Sequence, residues 1–152
     1  MSTRKLILLA LACGLAILIA GSVQLLRIER NETSTLGVGD STQLATVTAR
    51  VTSGATVGDA VRVVVHLTLS PSASAPLEGP IVGWSLLTGG LKRPVEAVTA
   101  TDTGTESCAD TVLSPGEEAD CLLAFPVSPG VEGTTYVTFA FAGASATWRL
   151  GI

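Results

Sequence analysis

The feature that most limits how this chain can fold lies at residues 61–69, where Val61, Val63, Val65, Leu67 and Leu69 alternate with Arg62, Val64, His66 and Thr68. A strand puts every second residue on one face, whereas on a helix successive members of that apolar set would sit about 200° apart. The valines suit a pleated, half-buried surface. The segment is therefore expected to be a central β-strand, with His66, the only histidine of the chain, on its outer face as a solvated residue.

The same period recurs upstream, where Leu44, Val47, Ala49 and Val51 are set among Thr46, Thr48, Arg50 and Thr52; Ser53-Gly54-Ala55 is expected to end that strand. Residues 70–80 carry three prolines among Ser, Ala and Gly and are expected to form a loop without a ladder. Ile81, Val82, Trp84, Leu86 and Leu87 read as a strand. Thr88-Gly89-Gly90-Leu91 reads as its hairpin turn, with a return strand behind Pro94. Pro115-Gly116 supplies the central pair of a type II turn, and residues 121–127 form the next strand. The closing hairpin is expected to turn on Gly143-Ala144 in a type II′ loop. That register opposes Phe141 with Ala146, Phe139 with Trp148 and Val137 with Leu150 on the core face. Thr138 and Arg149 fall on the outer one. Seven or eight short strands separated by turns point to an antiparallel β-sandwich, with a small barrel as the alternative.

One stretch does not fit this pattern. Residues 6–26 are 21 apolar or uncharged residues behind Arg4 and Lys5, closed by Arg27, Glu29 and Arg30. As a helix rising about 1.5 Å per residue they would span roughly 30 Å, the thickness of a bilayer's hydrocarbon core. The expectation is an uncleaved signal anchor with its N-terminus in the cytoplasm and the rest of the chain outside. Cleavage near Ala20-Gly21-Ser22 is the second fate. Lipidation at Cys13 is the third, since Leu9-Ala10-Leu11-Ala12-Cys13 is like a lipobox but is followed by further apolar residues where a polar linker is usual. The resulting layout is a cytoplasmic terminus at 1–5, the anchor at 6–26, a polar linker at 27–40 and a sandwich domain at 41–152. Asn31-Glu32-Thr33 matches a glycosylation sequon, a triplet common by chance.

An exported domain makes Cys108 and Cys121 an expected disulfide and leaves Cys13 as the odd thiol. Zinc would need more ligands than two sulfurs and one histidine provide. From Gly37 onward five cations face eleven carboxylates, a net charge of about −6, which argues against nucleic acid and anionic lipid as partners. Six of those carboxylates, Asp102, Glu106, Asp110, Glu117, Glu118 and Asp120, lie close together in sequence with no lysine or arginine among them. Their spacing matches no EF-hand loop. They read as a solvated face, with weak calcium binding or contact with a basic protein partner as the functional alternatives, and they are the candidate partner-binding patch.

The order Gly37-Val38-Gly39-Asp40, the valine-rich strand, Trp84 with Gly89-Gly90, and Leu113-Ser114-Pro115-Gly116-Glu117 before Leu123-Ala124-Phe125-Pro126-Val127 resembles the telokin-like, immunoglobulin-like domains of bacterial exported proteins. The resemblance covers residues 37–152. It implies an immunoglobulin-like sandwich behind a lipoprotein signal or one membrane helix, and assigns no activity. It departs from that pattern at Leu69-Ser70-Pro71-Ser72, where the family commonly has an asparagine, and in its cysteine pair.

No Gly-x-Ser-x-Gly elbow accompanies His66, so an enzyme is not expected, nor is a cofactor or a resident metal. The expected function is that of a membrane-anchored extracytoplasmic β-sandwich serving as an interaction or assembly module of the cell envelope, with another envelope protein as partner. A solute-binding or sensing ectodomain is the alternative, as is a cleaved, secreted or lipidated form of the same domain; a small-molecule ligand is disfavoured.

Overall fold

A computed structural model describes residue 14 and residues 35–96, 104–128 and 133–152. The alternating segment forms β4 (Ala60–Leu69), in which all five expected core residues are buried and the intervening ones half-buried. It pairs antiparallel with β3 (Val47–Val57) on one side and β9 (Glu118–Pro126) on the other, and β2 (Ser41–Leu44) completes a four-stranded sheet in the order β2-β3-β4-β9. A second sheet has the order β1-β11-β10-β6-β7, built from β1 (Thr35–Gly37), β6 (Trp84–Thr88), β7 (Leu91–Pro94), β10 (Thr135–Phe141) and β11 (Ala144–Leu150). A two-residue ladder joins β5 (Leu77–Glu78) to β8 (Val112–Leu113). The described residues from Thr35 onward are all-β, and the inner faces of the two larger sheets share one apolar core, the arrangement of a β-sandwich.

That core is aromatic at its centre. Trp84 stacks on Phe139 with ring centroids 4.4 Å apart, and on Trp148 at 5.8 Å. Trp148 is fully buried and its indole N–H donates to the Asp40 carbonyl at 2.9 Å. The same turn is held by the Gly37 amide on the Asp40 carboxylate (2.8 Å) and by the Gly39 amide on the Val51 carbonyl (2.8 Å). Residues 35–40, expected in the linker, thus belong to the sandwich: Thr35–Gly37 runs parallel to β11, with Leu36 packed on the core.

Other expectations are corrected in detail. In the closing hairpin Phe141 pairs with Ala144, Phe139 with Ala146 and Val137 with Trp148, two residues away from the expected register. The cause is the turn, which is Ala142-Gly143 with φ of 50° and 82°, the two positive values of a type I′ loop, instead of Gly143-Ala144. A slip of two leaves every side chain on its expected face. Thr138 and Thr147 meet on the outer face through their hydroxyls at 2.9 Å.

Ser53-Gly54-Ala55 does not end its strand. Thr52 forms a bulge and β3 continues to a two-residue turn at Gly58-Asp59. At Gly54 a Cβ would lie 3.2 Å from both Leu150 methyl carbons, so a larger residue there would need that side chain to shift. The tryptophan strand begins at Trp84 and not at Ile81. Before it Gly83 has φ of 92°, and a Cβ there would meet the Ala140 carbonyl oxygen at 2.1 Å. The return strand β7 ends at Pro94 where it was expected to begin, since a proline is tolerated on an edge strand whose N–H need not pair. Within the expected loop 70–80, Leu77–Glu78 does form a ladder.

The expected signal anchor at residues 6–26 lies, apart from Gly14, outside the described residues. Among the described residues no helix is long and apolar enough to cross a membrane.

Candidate interaction surface

The loop ahead of β9 is fastened to that strand twice. Cys108 and Cys121 are bonded, their Cα atoms 4.8 Å apart, and both are fully buried. Beside them the Leu122 amide donates to the Glu106 carbonyl (2.8 Å), and the Cys108 amide donates to the Leu122 carbonyl (3.0 Å), so residues 106–108 lie along the free edge of β9. Further down that edge the Glu96 amide donates to the Ala124 carbonyl at 2.9 Å. Buried Leu122 is thereby shielded although it alternates outward from the core residues Cys121 and Leu123.

This scaffold sorts the expected acidic patch into separate roles. Glu118 and Asp120 are exposed on β9, paired in register with Thr68 and His66 of β4. The His66 ring sits between them, with Nδ1 2.9 Å from an Asp120 oxygen and Nε2 3.6 Å from a Glu118 oxygen. Arg50 of β3 is the cross-strand neighbour of His66 on its other side. His66 is therefore a partly buried member of a polar row, not the free solvated residue expected. Glu106 joins the acidic pair through its place beside Leu122.

Glu117 is engaged elsewhere. Its carboxylate accepts from the Ser114 amide at 2.8 Å and closes the Pro115-Gly116 turn, where the Glu117 amide returns a bond to the Ser114 carbonyl. The Ser114 backbone amide, and after it the Ser114 hydroxyl, hold the Glu117 carboxyl below the usual carboxylate range. Asp110 is exposed in the loop behind Cys108, its amide bonded to the Ser107 carbonyl. Asp102 lies outside the described residues. Glu96 was missed by the sequence reading, since it reaches β9 only because the chain leaves the five-stranded sheet at Pro94 and crosses to the other; no local spacing signals that. The result is an acidic border on β9 made of Glu96, Glu106, Glu118 and Asp120. Among the described residues no group of three or more histidine, cysteine or carboxylate side chains is placed to hold a metal ion.

Two clefts lie elsewhere: one of about 440 Å³ is lined by Gly83, Trp84, Ser85, Lys92, Pro94 and Ala140, and one of about 250 Å³ by Leu77, Pro80, Val82, Phe139 and Phe141, with Glu78 as its one charged group. Val82 is 82% exposed at its rim.

No known family matches the chain, and no curated protein is similar to it in sequence. Solved structures are similar in fold. The yjhA protein of Bacillus subtilis has a TM-score of 0.58 at 9% identity, over 76% of this chain and 99% of its own. The secreted protein MPT63 of Mycobacterium tuberculosis has 0.53 at 9% identity, over 78% and 99%. A functionally unknown protein of Listeria monocytogenes has 0.51 at 10%, over 74% and 80%. At such identities the likeness extends to the fold alone: these are bacterial β-sandwich proteins, consistent with an immunoglobulin-like arrangement.

Proposed function

We propose that the chain is a membrane-anchored, extracytoplasmic β-sandwich that acts as a protein interaction module of the cell envelope, and that the acidic border of β9 is its contact surface. The observation that carries this reading is the backbone placement of Glu118 and Asp120 by the β4–β9 ladder, with Glu106 and Glu96 fastened beside the same strand by the disulfide and three backbone hydrogen bonds. Carboxylates that do not need to be ordered on binding present a field that steers a basic partner and fixes its register. The apolar run at 6–26 would export the domain and keep it at the membrane, and the fold similarity to a secreted protein agrees with that address. The telokin-like kinship suggested by the Pro115-Gly116-Glu117 turn and the Phe125-Pro126 strand end belongs to the same reading. The solute-binding alternative ranks second, because the two clefts offer few convergent polar groups: Glu78 is the one charged residue of the smaller, and Ser85 and Lys92 are the polar side chains best placed in the larger.

The test is chemical crosslinking in intact cells with identification of the adducts, comparing the wild type with a Glu118→Lys, Asp120→Lys variant. Glu117 is left alone, since replacing it would also open the turn. A protein adduct that falls at least tenfold in the variant supports the reading. An adduct of equal yield removes the acidic border from it. Absence of any adduct, together with stoichiometric binding of a small solute by the purified protein, overturns it.

A further inference from the structure

Among the described residues most strand edges of the two sheets are covered, charged or short, and the end of β3 is none of these. The free side of β9 is covered at Leu122 and Ala124 by residues 96 and 106–108 and carries Glu118 and Asp120 beyond them, β7 carries Lys92, Arg93 and Pro94, and β1 and β2 are only three and four residues long. These are the usual means by which proteins blunt sheet edges. In β3, by contrast, β2 pairs only with residues 47–50 and the Gly39 amide takes the Val51 carbonyl, so among the described residues 53–57 pair with β4 alone. This stretch is Ser53-Gly54-Ala55-Thr56-Val57, without charge or proline, and Ser53, Ala55, Thr56 and Val57 are exposed, Val57 to 46%.

The ladder states which backbone groups are open. The pair closing a two-residue turn exchanges both hydrogen bonds, and these pairs alternate along an antiparallel ladder. Val57–Ala60 and Ala55–Arg62 therefore face each other, which turns the N–H and C=O of Gly54 and Thr56 outward. Water can meet an outward pair of this kind one group at a time; another extended strand meets both groups at once, the geometry of β-strand addition.

We propose that this edge pairs with the same edge of a second copy of the chain, antiparallel about a two-fold axis through Ala55. Gly54 of one protomer would exchange two hydrogen bonds with the partner's Thr56, and Thr56 two with the partner's Gly54, so all four open groups of each edge find partners. The occupant is a second copy because the segment is complementary to itself, as an isologous contact requires. Side chains across the axis are small, Gly54 facing Thr56 on the inner side and Ala55 facing Ala55 on the outer. The carboxylates Glu118 and Asp120 sit toward the Thr68 end of β4, away from the contact at its Ala60–Val64 end, so like charge does not oppose it there. The proposal does not depend on the acidic border, and its failure would leave that surface as it is.

Cysteine crosslinking of the full chain in detergent tests it. Ala55→Cys in a Cys13→Ala background places two thiols at a non-hydrogen-bonded cross-strand pair, with Cβ atoms about 4.5–5.5 Å apart, close enough for a disulfide with a slight adjustment. The expected result is a covalent dimer as the major product of mild oxidation. Val112→Cys, an equally exposed position on β8, should remain monomeric. Adding Thr56→Pro, which removes an N–H that has no partner among the described residues of the protomer, should lower the dimer at least tenfold. In sedimentation velocity the wild type should show dimer, and Ala55→Lys, which opposes two like charges, should be monomeric with an unchanged melting temperature. A monomeric Ala55→Cys protein, equal dimer at Val112, or dimer undiminished by Thr56→Pro and Ala55→Lys overturns the proposal. So does crosslinking in membrane extracts only to a different protein, which would assign the edge to a heterologous strand.

Discussion

Replacing Trp148 by alanine tests the packing at the point where the two sheets meet. The side chain is fully buried, stacks on Trp84 at 5.8 Å, lies across from Val137 and donates to the Asp40 carbonyl at 2.9 Å. Truncating a buried tryptophan costs about 3–5 kcal/mol through lost burial and the cavity left behind. Within that total the hydrogen bond accounts for about 1 kcal/mol, and the aromatic contact for a comparable amount. Trp148→Phe keeps most of the packing and loses the hydrogen bond, so it should cost about 1–2 kcal/mol. Arg149, the next residue, is exposed on the outer face, and Arg149→Ala should stay within about 0.5 kcal/mol. With an m-value of about 2 kcal/mol per molar urea, Trp148→Ala should move the midpoint by about 2 M. Circular dichroism in urea is the assay, because removing one of two tryptophans compromises fluorescence. Equal losses for Trp148→Ala and Arg149→Ala would refute the face assignment. A Trp148→Phe variant as damaged as Trp148→Ala would mean that the bond to Asp40, and not the packing, dominates.

Four further expectations follow from individual residues. Separating Cys108 from Cys121 by a double alanine substitution should cost about 3 kcal/mol in denaturant melts, as for a closed loop near 15 residues. Gly83→Ala, with φ of 92° and a Cβ 2.1 Å from the Ala140 carbonyl, should lower stability by more than about 2 kcal/mol. Gly90→Ala, with positive φ but open space, should cost about 1 kcal/mol in the same melt. The Glu117 carboxyl is held below its ordinary range in the folded state, so its contribution is present above the unfolded-state pKa and is lost as pH falls through the folded value. The stability difference between wild type and Glu117→Gln should accordingly be seen at neutral pH and disappear on acidification, as followed by urea melts across the acid range.

What could be read from the chain alone was governed by period and turn chemistry. The faces of β4, β10 and β11 are legible because alternation survives any even slip, whereas the pairing of β10 with β11 depended on whether Ala142 would accept a positive φ, a choice that spacing does not make. The disulfide was legible from the cysteine count. Thr35–Gly37 was not recognised as a strand because a three-residue element has no period of its own; it is held by Trp148 and Val51, both remote in sequence. The acidic patch was half legible. Glu118 and Asp120 alternate on one strand, but Glu117 is drawn into a turn and Glu96 arrives by a crossing between sheets. Likewise, the pairing of His66 with Asp120 is a consequence of register between β4 and β9, 54 residues apart.

The central claim is that the sandwich is held outside the membrane by residues 6–26 and presents its surface there. Labelling of a Val82→Cys variant in a Cys13→Ala background with a membrane-impermeant maleimide in intact cells tests it most directly, since Val82 is 82% exposed and the two remaining native cysteines, Cys108 and Cys121, are bonded to one another. The account predicts labelling before lysis, on a protein recovered in the membrane fraction. Labelling that appears only after the cells are broken would contradict it.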